Sequence, residues 1–516
     1  MDIYPDASRF ADAWQKGRPL VVWTTLAADL DTPVSAMLKL ARRRPNSFLL
    51  ESVEGGSVRG RYSFIGRDPD LIWRCHGNRA EIARPQPFGD GVFSACPVGE
   101  RDGALASLRA VVATSRIDLP PGLPPMSAGL VGYMGYDTVR LMERLPDDNP
   151  DVLGVPDGMF LRPTIIAVFD NIEDCLTLVT PVWPDAATGT HPGESHRDDR
   201  NAAPAYAAAC SRLEAAVADF ARTVPRTTPQ SPTSMPEPAS NMDRAGYHAM
   251  VEKAKEYIFA GDIFQVVPSQ RFRVPFTLPP FALYRALRRI NPSPFLFYLD
   301  FGAFAVVGSS PEIMVRLREG QVTIRPIAGT RRRGTSLEED KALAVELLAD
   351  PKERAEHLML LDLGRNDVGR VSRIGTVSVT EHMVVERYSH VMHIVSNVVG
   401  ELEPSRDGID ALVAGFPAGT VSGAPKVRAM EIIDELEPER RGIYGGCIGY
   451  IGADGELDTC IALRTAIIKD GLLYVQAGGG VVADSDPEAE YQESCNKARA
   501  LLRAAEEAHA FTSDED

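Results

Sequence analysis

IYGGCIGYIGADGELDTCIALRTAIIKDGLLYVQAGGGVV, residues 443–482, decides the fold class. Ala453-Asp454-Gly455 and Lys469-Asp470-Gly471 separate three β-like runs, and Asp-Gly between apolar runs is a hairpin signal, so the stretch predicts an antiparallel meander. Helices are expected around it at 243–260, 279–290, 337–349, 351–363, 425–436 and 487–510, at irregular spacing among further hairpins. A strict strand–helix alternation is absent. The expectation is therefore α+β, antiparallel β-sheets packed with surrounding helices, and not a doubly wound parallel sheet.

Two patterns inside the same stretch are decoys. Gly478, Gly480 and Ala483 match GxGxxA after a strand, but only one helix follows, and a dinucleotide site needs a further strand carrying an acid to the ribose. Gly445, Cys447 and Gly449 have nucleophile-elbow spacing, yet they fall inside a β-like run with no turn into a helix, which makes Cys447 a core residue.

Outward from there, the 516 residues are 44% hydrophobic and 24% charged, an ordinary globular composition long enough for more than one core. Lysine plus arginine number 55 against 71 aspartate plus glutamate, a net charge of −16, which argues against nucleic acid as a partner while leaving room for a local basic pocket. No apolar run approaches the ~20 residues that span a bilayer, so no membrane partner is expected. Seven cysteines lie scattered without CxxC spacing, and MDIYPDASRF lacks a basic-then-apolar leader pattern; together these predict a reducing, cytoplasmic location. From 184 to 242 the composition shifts to Pro, Ala, Ser and Thr, with TVPRTTPQSPTSMPEPAS (223–240) least structured and an Ala-rich helix near 204–222 before it. The predicted organisation is a strand-rich N-terminal domain over 1–183, a linker region with one helix over 184–242, and a catalytic domain over 243–516.

PKERAEHLMLLDLGRND (351–367) carries the first chemical hint. Asp350 fits an N-cap, Pro351 the first helical position and Gly364 a stop, and the turn 358–361 is apolar all round, so Glu356, in line with Leu360 and Leu363, should point into protein. Taken alone, Glu353 and Glu356 read as wet acids answering a helix dipole. A second pair weakens that reading: after the cap Asp486 and Pro487, Glu490, Glu493 and Lys497 fall on one helix face. Four carboxylates brought together could not all ionise without a cation, and an all-oxygen set suits Mg2+. Between the two helices, PAGTVSGAPKVRAMEIIDEL (417–436) is a glycine-rich helix entry that could hold an anion but lacks Walker A order. His390 and His393, three apart in a β-like run, should face opposite ways and not share a metal.

PIAGTRRRG (326–334), ERAEHLMLLDLGRND, VMHIVSNVVG, FPAGTVSGAPKVRAMEIIDELEPERRGIYGG, CIALRTA and AGGGVVADSDPEAEYQESCNKA, in this order, resemble the chorismate-utilising enzymes over about 240–506. LLES (49–52) with NPSPF (291–295) is similar to the anthranilate synthase component I branch. The resemblance implies the chorismate-utilising enzyme fold, chorismate as substrate and Mg2+ as cofactor, with Glu356 and Glu493 as direct ligands supported by Glu353 and Glu490. It implies that Arg464 and Tyr444 hold the enolpyruvyl carboxylate, and that Gly329, Thr330, Gly478, Gly479, Gly480 and Lys497 complete the substrate site. Gly479 stands where alanine is usual, a change expected to matter little.

Glu312 in GSSPE resembles the family's acid, and His393 and Thr420 occupy positions tied to the later elimination. In isolation the glutamate reads as a solvated acid after a turn and the histidine as structural. Relatives that make isochorismate or salicylate carry lysine at Gln265, because water needs a base. Aminodeoxychorismate synthases typically carry a nucleophilic lysine at Ala328. What remains is an anthranilate synthase aminase, producing anthranilate and pyruvate from chorismate and ammonia, with these other chorismate enzymes as alternatives. The chain shows no Cys-His-Glu glutaminase, so a separate glutamine amidotransferase subunit, anthranilate synthase component II, is implied as partner in a hetero-oligomer. The resemblance also places a feedback site for tryptophan at Leu50, Glu51, Ser52, Pro294, Phe295 and Leu296, remote from the chemistry.

Overall fold

A computed structural model of the chain describes residues 1–42, 44–54, 58–85, 91–184, 201–224, 235–388 and 391–512. Among the described residues, twenty-one strands form one connected pairing network. Two branches leave a shared pair of long strands, Val58–His76 and Gly158–Asp170. One branch runs from the first of these through Ser47–Glu54, Phe295–Asp300, Phe304–Ser310, Thr465–Lys469, Leu472–Gly478 and Ser269–Pro275. The other runs from the second through Gly129–Met134, Cys447–Gly452, Leu457–Ile461, Ile313–Arg318 and Gln321–Ile324 to Val391–Glu401, which also pairs with Ile327–Arg332 and Ser378–Arg387. All of these pairs are antiparallel, including the two hairpins that the Asp-Gly turns join.

Alternation along each strand explains the layering. Phe297, Leu299, Phe304 and Val306 join Ile448 and Tyr450 in a core between the branches. Their neighbours Leu296, Tyr298, Ala305 and Val307 face the other way, onto Leu283 and Leu287 of the helix Pro280–Ile290 and Leu501 of Pro487–Glu507. On the opposite outer face, Cys447 and Ile451 meet Leu361, Leu412 and Met430, from Pro351–Gly369, Gly408–Gly415 and Lys426–Leu436. Two sheets thus pack face to face with helices outside each.

The meander expected over 443–482 is not continuous. Its middle run divides at Ala462-Leu463-Arg464: Leu457–Ile461 pairs with Ile313–Arg318 in one branch, and Thr465–Lys469 with Phe304–Ser310 in the other. The two hairpins form as predicted; the break between them depends on partners some 150 residues earlier, which no local pattern reports. Strands of 1–183 and 243–516 also interleave: Ser47–Glu54 lies beside Phe295–Asp300, and Gly129–Met134 beside Cys447–Gly452. The compositional break at 184–242 therefore does not divide the sheets. Its helix is Ala202–Phe220, and 225–234 lie outside the described residues.

The helix expected over 351–363 runs on to Gly369. Asp350 caps it, accepting from the Lys352 and Glu353 N–H groups, with Pro351 in the first turn. Gly364 does not stop it, because there the helix lies against Ile324 and Val398, and its last turn is held by the ion pair of Asp367 with Lys426 at 2.9 Å. Nor is its middle turn buried all round: Leu358 is exposed while Leu360 and Leu361 are core.

Candidate functional site

The two points at which the chain leaves one sheet for the other lie side by side. Pro311-Glu312 joins Phe304–Ser310 to Ile313–Arg318, and Ala462-Leu463-Arg464 joins Leu457–Ile461 to Thr465–Lys469. The Ile461 N–H donates to the Glu312 carbonyl at 3.0 Å, and the Ser309 N–H to the Arg464 carbonyl at 3.1 Å. Arg464 has φ 48°, a left-handed conformation unusual for a residue with a long side chain. Strands that part in this way expose main-chain and side-chain groups to one another inside the protein.

Glu312 is not the solvated turn acid of the isolated motif; it is 6% exposed. Burial pushes its carboxyl up to about 8, an effect that the neighbouring Thr420 hydroxyl and Ile327 N–H only partly offset. It is a protonated acid at neutral pH. Burial lowers the Arg464 guanidinium, and among the described residues no carboxylate pairs with it. A desolvated, unpaired guanidinium is a binding site for an anion.

His393 stands opposite, in Val391–Glu401, in register with Thr330. Its Nδ1 lies 3.1 Å from the Gly329 carbonyl and 3.0 Å from the Thr330 hydroxyl. A carbonyl can only accept, so Nδ1 carries the proton and Nε2 keeps its lone pair. Burial, helped by the Arg464 charge and opposed by the Gly329 carbonyl, brings the imidazole down to about 4, so it is a neutral base. Tyr444 is 6% exposed; burial raises its phenol to about 12, and the Gly478 N–H acts on its oxygen.

The acid-bearing helices supply the rest. The Gln265 amide donates to Glu356 at 3.3 Å across Gly480, where a Cβ would stand 2.4 Å from that amide nitrogen. Burial first, then the like charges of Glu353 and Glu493, raises Glu356. Ser485 donates to Glu490 at 2.8 Å, while the other Glu490 oxygen is buried without a partner. That oxygen occupies the space of a side chain at Gly479, 2.7 Å from where a Cβ would lie, so alanine here would displace the carboxylate. Lys497 pairs with Glu493 at 2.7 Å and donates to the Gly478 carbonyl at 3.0 Å. Glu353 is held by Arg331 at 2.9 Å and lies against Gly329, which has φ 76° and where a Cβ would stand 3.1 Å from that carboxylate. As they stand, Arg331, Gln265 and Lys497 each satisfy one acid, and no three metal-binding side chains are clustered among the described residues. The donor set nevertheless fits a divalent cation in kind: mutually repelling carboxylates from two helices, one with an orphaned oxygen.

Sequence reading missed the supports. Arg441, fully buried and paired with Glu437 at 2.6 Å, donates to the Val421 and Val267 carbonyls at 2.6 Å each, tying the Thr420 loop to the Gln265 strand. His357 binds Ser396 at 2.7 Å, joining the helix of Glu353 and Glu356 to the strand of His393. A buried arginine in EPERRG and a histidine beside an acid carry no local sign of these roles. His390 lies outside the described residues.

The expected regulatory residues gather elsewhere. Leu50, Glu51, Ser52, Pro294, Phe295 and Leu296 all line one cavity of about 1060 Å³, to which Tyr450 and Cys460 also contribute. They meet because Ser47–Glu54 and Phe295–Asp300 are paired, Glu51 opposite Leu296. The Glu51 carboxylate is committed to Arg288 and Tyr284, at 2.7 and 2.5 Å.

Residues 88–503 match the family of chorismate binding enzymes. The chain is 58% identical to anthranilate synthase component 1 of Cereibacter sphaeroides over 97% of both chains. It superposes on the crystal structure of anthranilate synthase component I from Streptococcus pneumoniae with TM-score 0.72 at 37% identity, covering 86% of this chain and 92% of the other. A menaquinone-specific isochorismate synthase from Escherichia coli shares the fold at 19% identity, with TM-score 0.68 over 97% and 98%. With the fold, the sequence and the buried acid, base and arginine in agreement, the chain belongs to the chorismate binding enzymes, in the family of anthranilate synthase component 1.

Proposed function

We propose that the chain aminates chorismate with ammonia and releases pyruvate to give anthranilate for tryptophan synthesis, in a reducing cytoplasm. The observation that carries this reading is Gln265. Its nitrogen is spent on Glu356, while its Oε1 is buried and without a partner, an acceptor suited to an N–H of ammonia. No base stands at this position to activate water.

The steps follow from the groups present. Arg464, with the Tyr444 hydroxyl, takes the enolpyruvyl carboxylate as the anion it lacks. Nitrogen bonds to C2 as the C4–O bond breaks, and Glu312, protonated at neutral pH, gives the departing hydroxyl its proton so that it leaves as water. Nε2 of His393 then removes a ring proton, the enolpyruvyl C–O bond breaks and the ring becomes aromatic; the group leaves as the enolate of pyruvate, which takes a proton back on carbon to become pyruvate. Thr420, beside Glu312, orients that acid. Gly329, Thr330, Gly478, Gly479 and Gly480 let main chain approach the substrate.

Mg2+, held by Glu356 and Glu493 with Glu353 and Glu490 behind them, would neutralise and orient the ring carboxylate. Lys497 is the cation that stands in for it at Glu493. Ammonia reaches the site from a glutamine amidotransferase subunit, and tryptophan inhibits from the cavity of Ser52 and Phe295. The test is product analysis of the pure chain with chorismate, Mg2+ and ammonium: anthranilate fluorescence is expected, whereas isochorismate, salicylate or unreacted chorismate would overturn the assignment.

A further inference from the structure

The regulatory cavity and the chemistry share a wall. Pro311 and Ile313 line the cavity, and Glu312 sits between them. Ile327 lines it too, and its N–H acts on the Glu312 carboxyl. Farther along the same wall are Arg325, Glu386 and Tyr388. Arg325 bridges Glu386 and Glu381, and the Tyr388 hydroxyl donates to the other Glu386 oxygen at 2.9 Å. The Tyr388 ring, 8% exposed, meets the His393 imidazole edge-on at 5.4 Å, and Tyr388 is the titratable neighbour that acts on Arg464.

We propose that Tyr388 is a positioning residue, and that Arg325, Glu386 and Tyr388 form the link through which a ligand in the cavity changes the placement of His393 beside Arg464. The inference rests on the cavity being the tryptophan site. A ligand there touches Arg325 or Glu386, and a shift of Glu386 frees the Tyr388 hydroxyl. The ring then has no anchor on the cavity side, and it is the ring that packs His393 in place. Coupling by this route is a difference in affinity, and it must appear reciprocally in both ligands.

The measurement is calorimetric titration of tryptophan into the full chain with and without saturating chorismate, with no ammonium so that no amination occurs. In the wild type, chorismate should raise the tryptophan Kd at least about tenfold, within the usual range of allosteric coupling. In Tyr388→Phe, which keeps the ring and loses the anchor, that factor should fall below about threefold while the Kd without chorismate stays within about threefold of wild type. Glu386→Gln should lower the factor in the same direction, and it decides the matter alone should Tyr388→Phe fail to fold. An undiminished factor in the folded variants would overturn the proposal, as would loss of tryptophan binding itself in Tyr388→Phe. A wild type that binds no tryptophan would instead overturn the assignment of the cavity.

Discussion

In the proposed reaction Glu312 and His393 are suited to opposite tasks because burial acts on opposite charge types. It keeps a carboxyl protonated up to about 8 and an imidazole neutral down to about 4. The acid's folded pKa is raised, so its protonated form is present below that value and is lost as pH rises through it. At free ammonia held constant, kcat should therefore fall about tenfold per pH unit above ~8. A profile at constant NH3 that stays level well past this point would assign the proton donor elsewhere. Gln265→Lys should cut anthranilate formation at least about a hundredfold and yield hydroxylated product, since lysine can activate water; chromatography of the product mixture checks it. The burial that suits Glu312 and His393 to their proposed roles was not legible from local pattern, which read one as a solvated acid and the other as structural. Their burial is created by crossovers that bring 310–313 against 461–465, and only whole-motif resemblance carried that information.

At the scale of elements, caps and periodicity were readable: Asp350 and Asp486 both cap as aspartates before helices should. The stop at Gly364 was not, because whether a glycine ends a helix depends on what packs over it, here Ile324 and Val398. The spacing Glu-x-x-Glu put paired acids on two helices, but the approach that lets Glu353 and Glu493 act on Glu356 is tertiary. Glu356→Gln and Glu493→Gln should each lower kcat at saturating Mg2+ at least about a hundredfold, while Tm shifts by only a few degrees, because Glu493 is exposed and the change at Glu356 removes a charge that Glu353 and Glu493 repel. Wild-type turnover in either, measured alongside a melting curve, would remove these carboxylates from the metal role.

At the scale of the molecule, the class α+β was set by Asp-Gly turns, whereas the interleaving of early and late strands was invisible. A pairing such as Ser47–Glu54 with Phe295–Asp300 is non-local, and nothing in either segment names the other. That pairing builds the cavity, so Ser52→Phe, placing a ring in it, should raise the tryptophan inhibition constant at least about tenfold without altering the KM for chorismate in its absence; paired inhibition curves decide this. The proposed function requires that this chain itself aminates chorismate with free ammonia and leaves glutamine to another subunit. Its free thiols support the second half, since Cys447 is buried in a strand and its thiol is raised to about 12, the reverse of an activated nucleophile. The most direct test gives the isolated chain chorismate, Mg2+, ¹⁵N-ammonium and unlabelled glutamine together, and weighs the anthranilate by mass spectrometry. Product carrying ¹⁵N throughout is the predicted result; unlabelled anthranilate, or none, would contradict it.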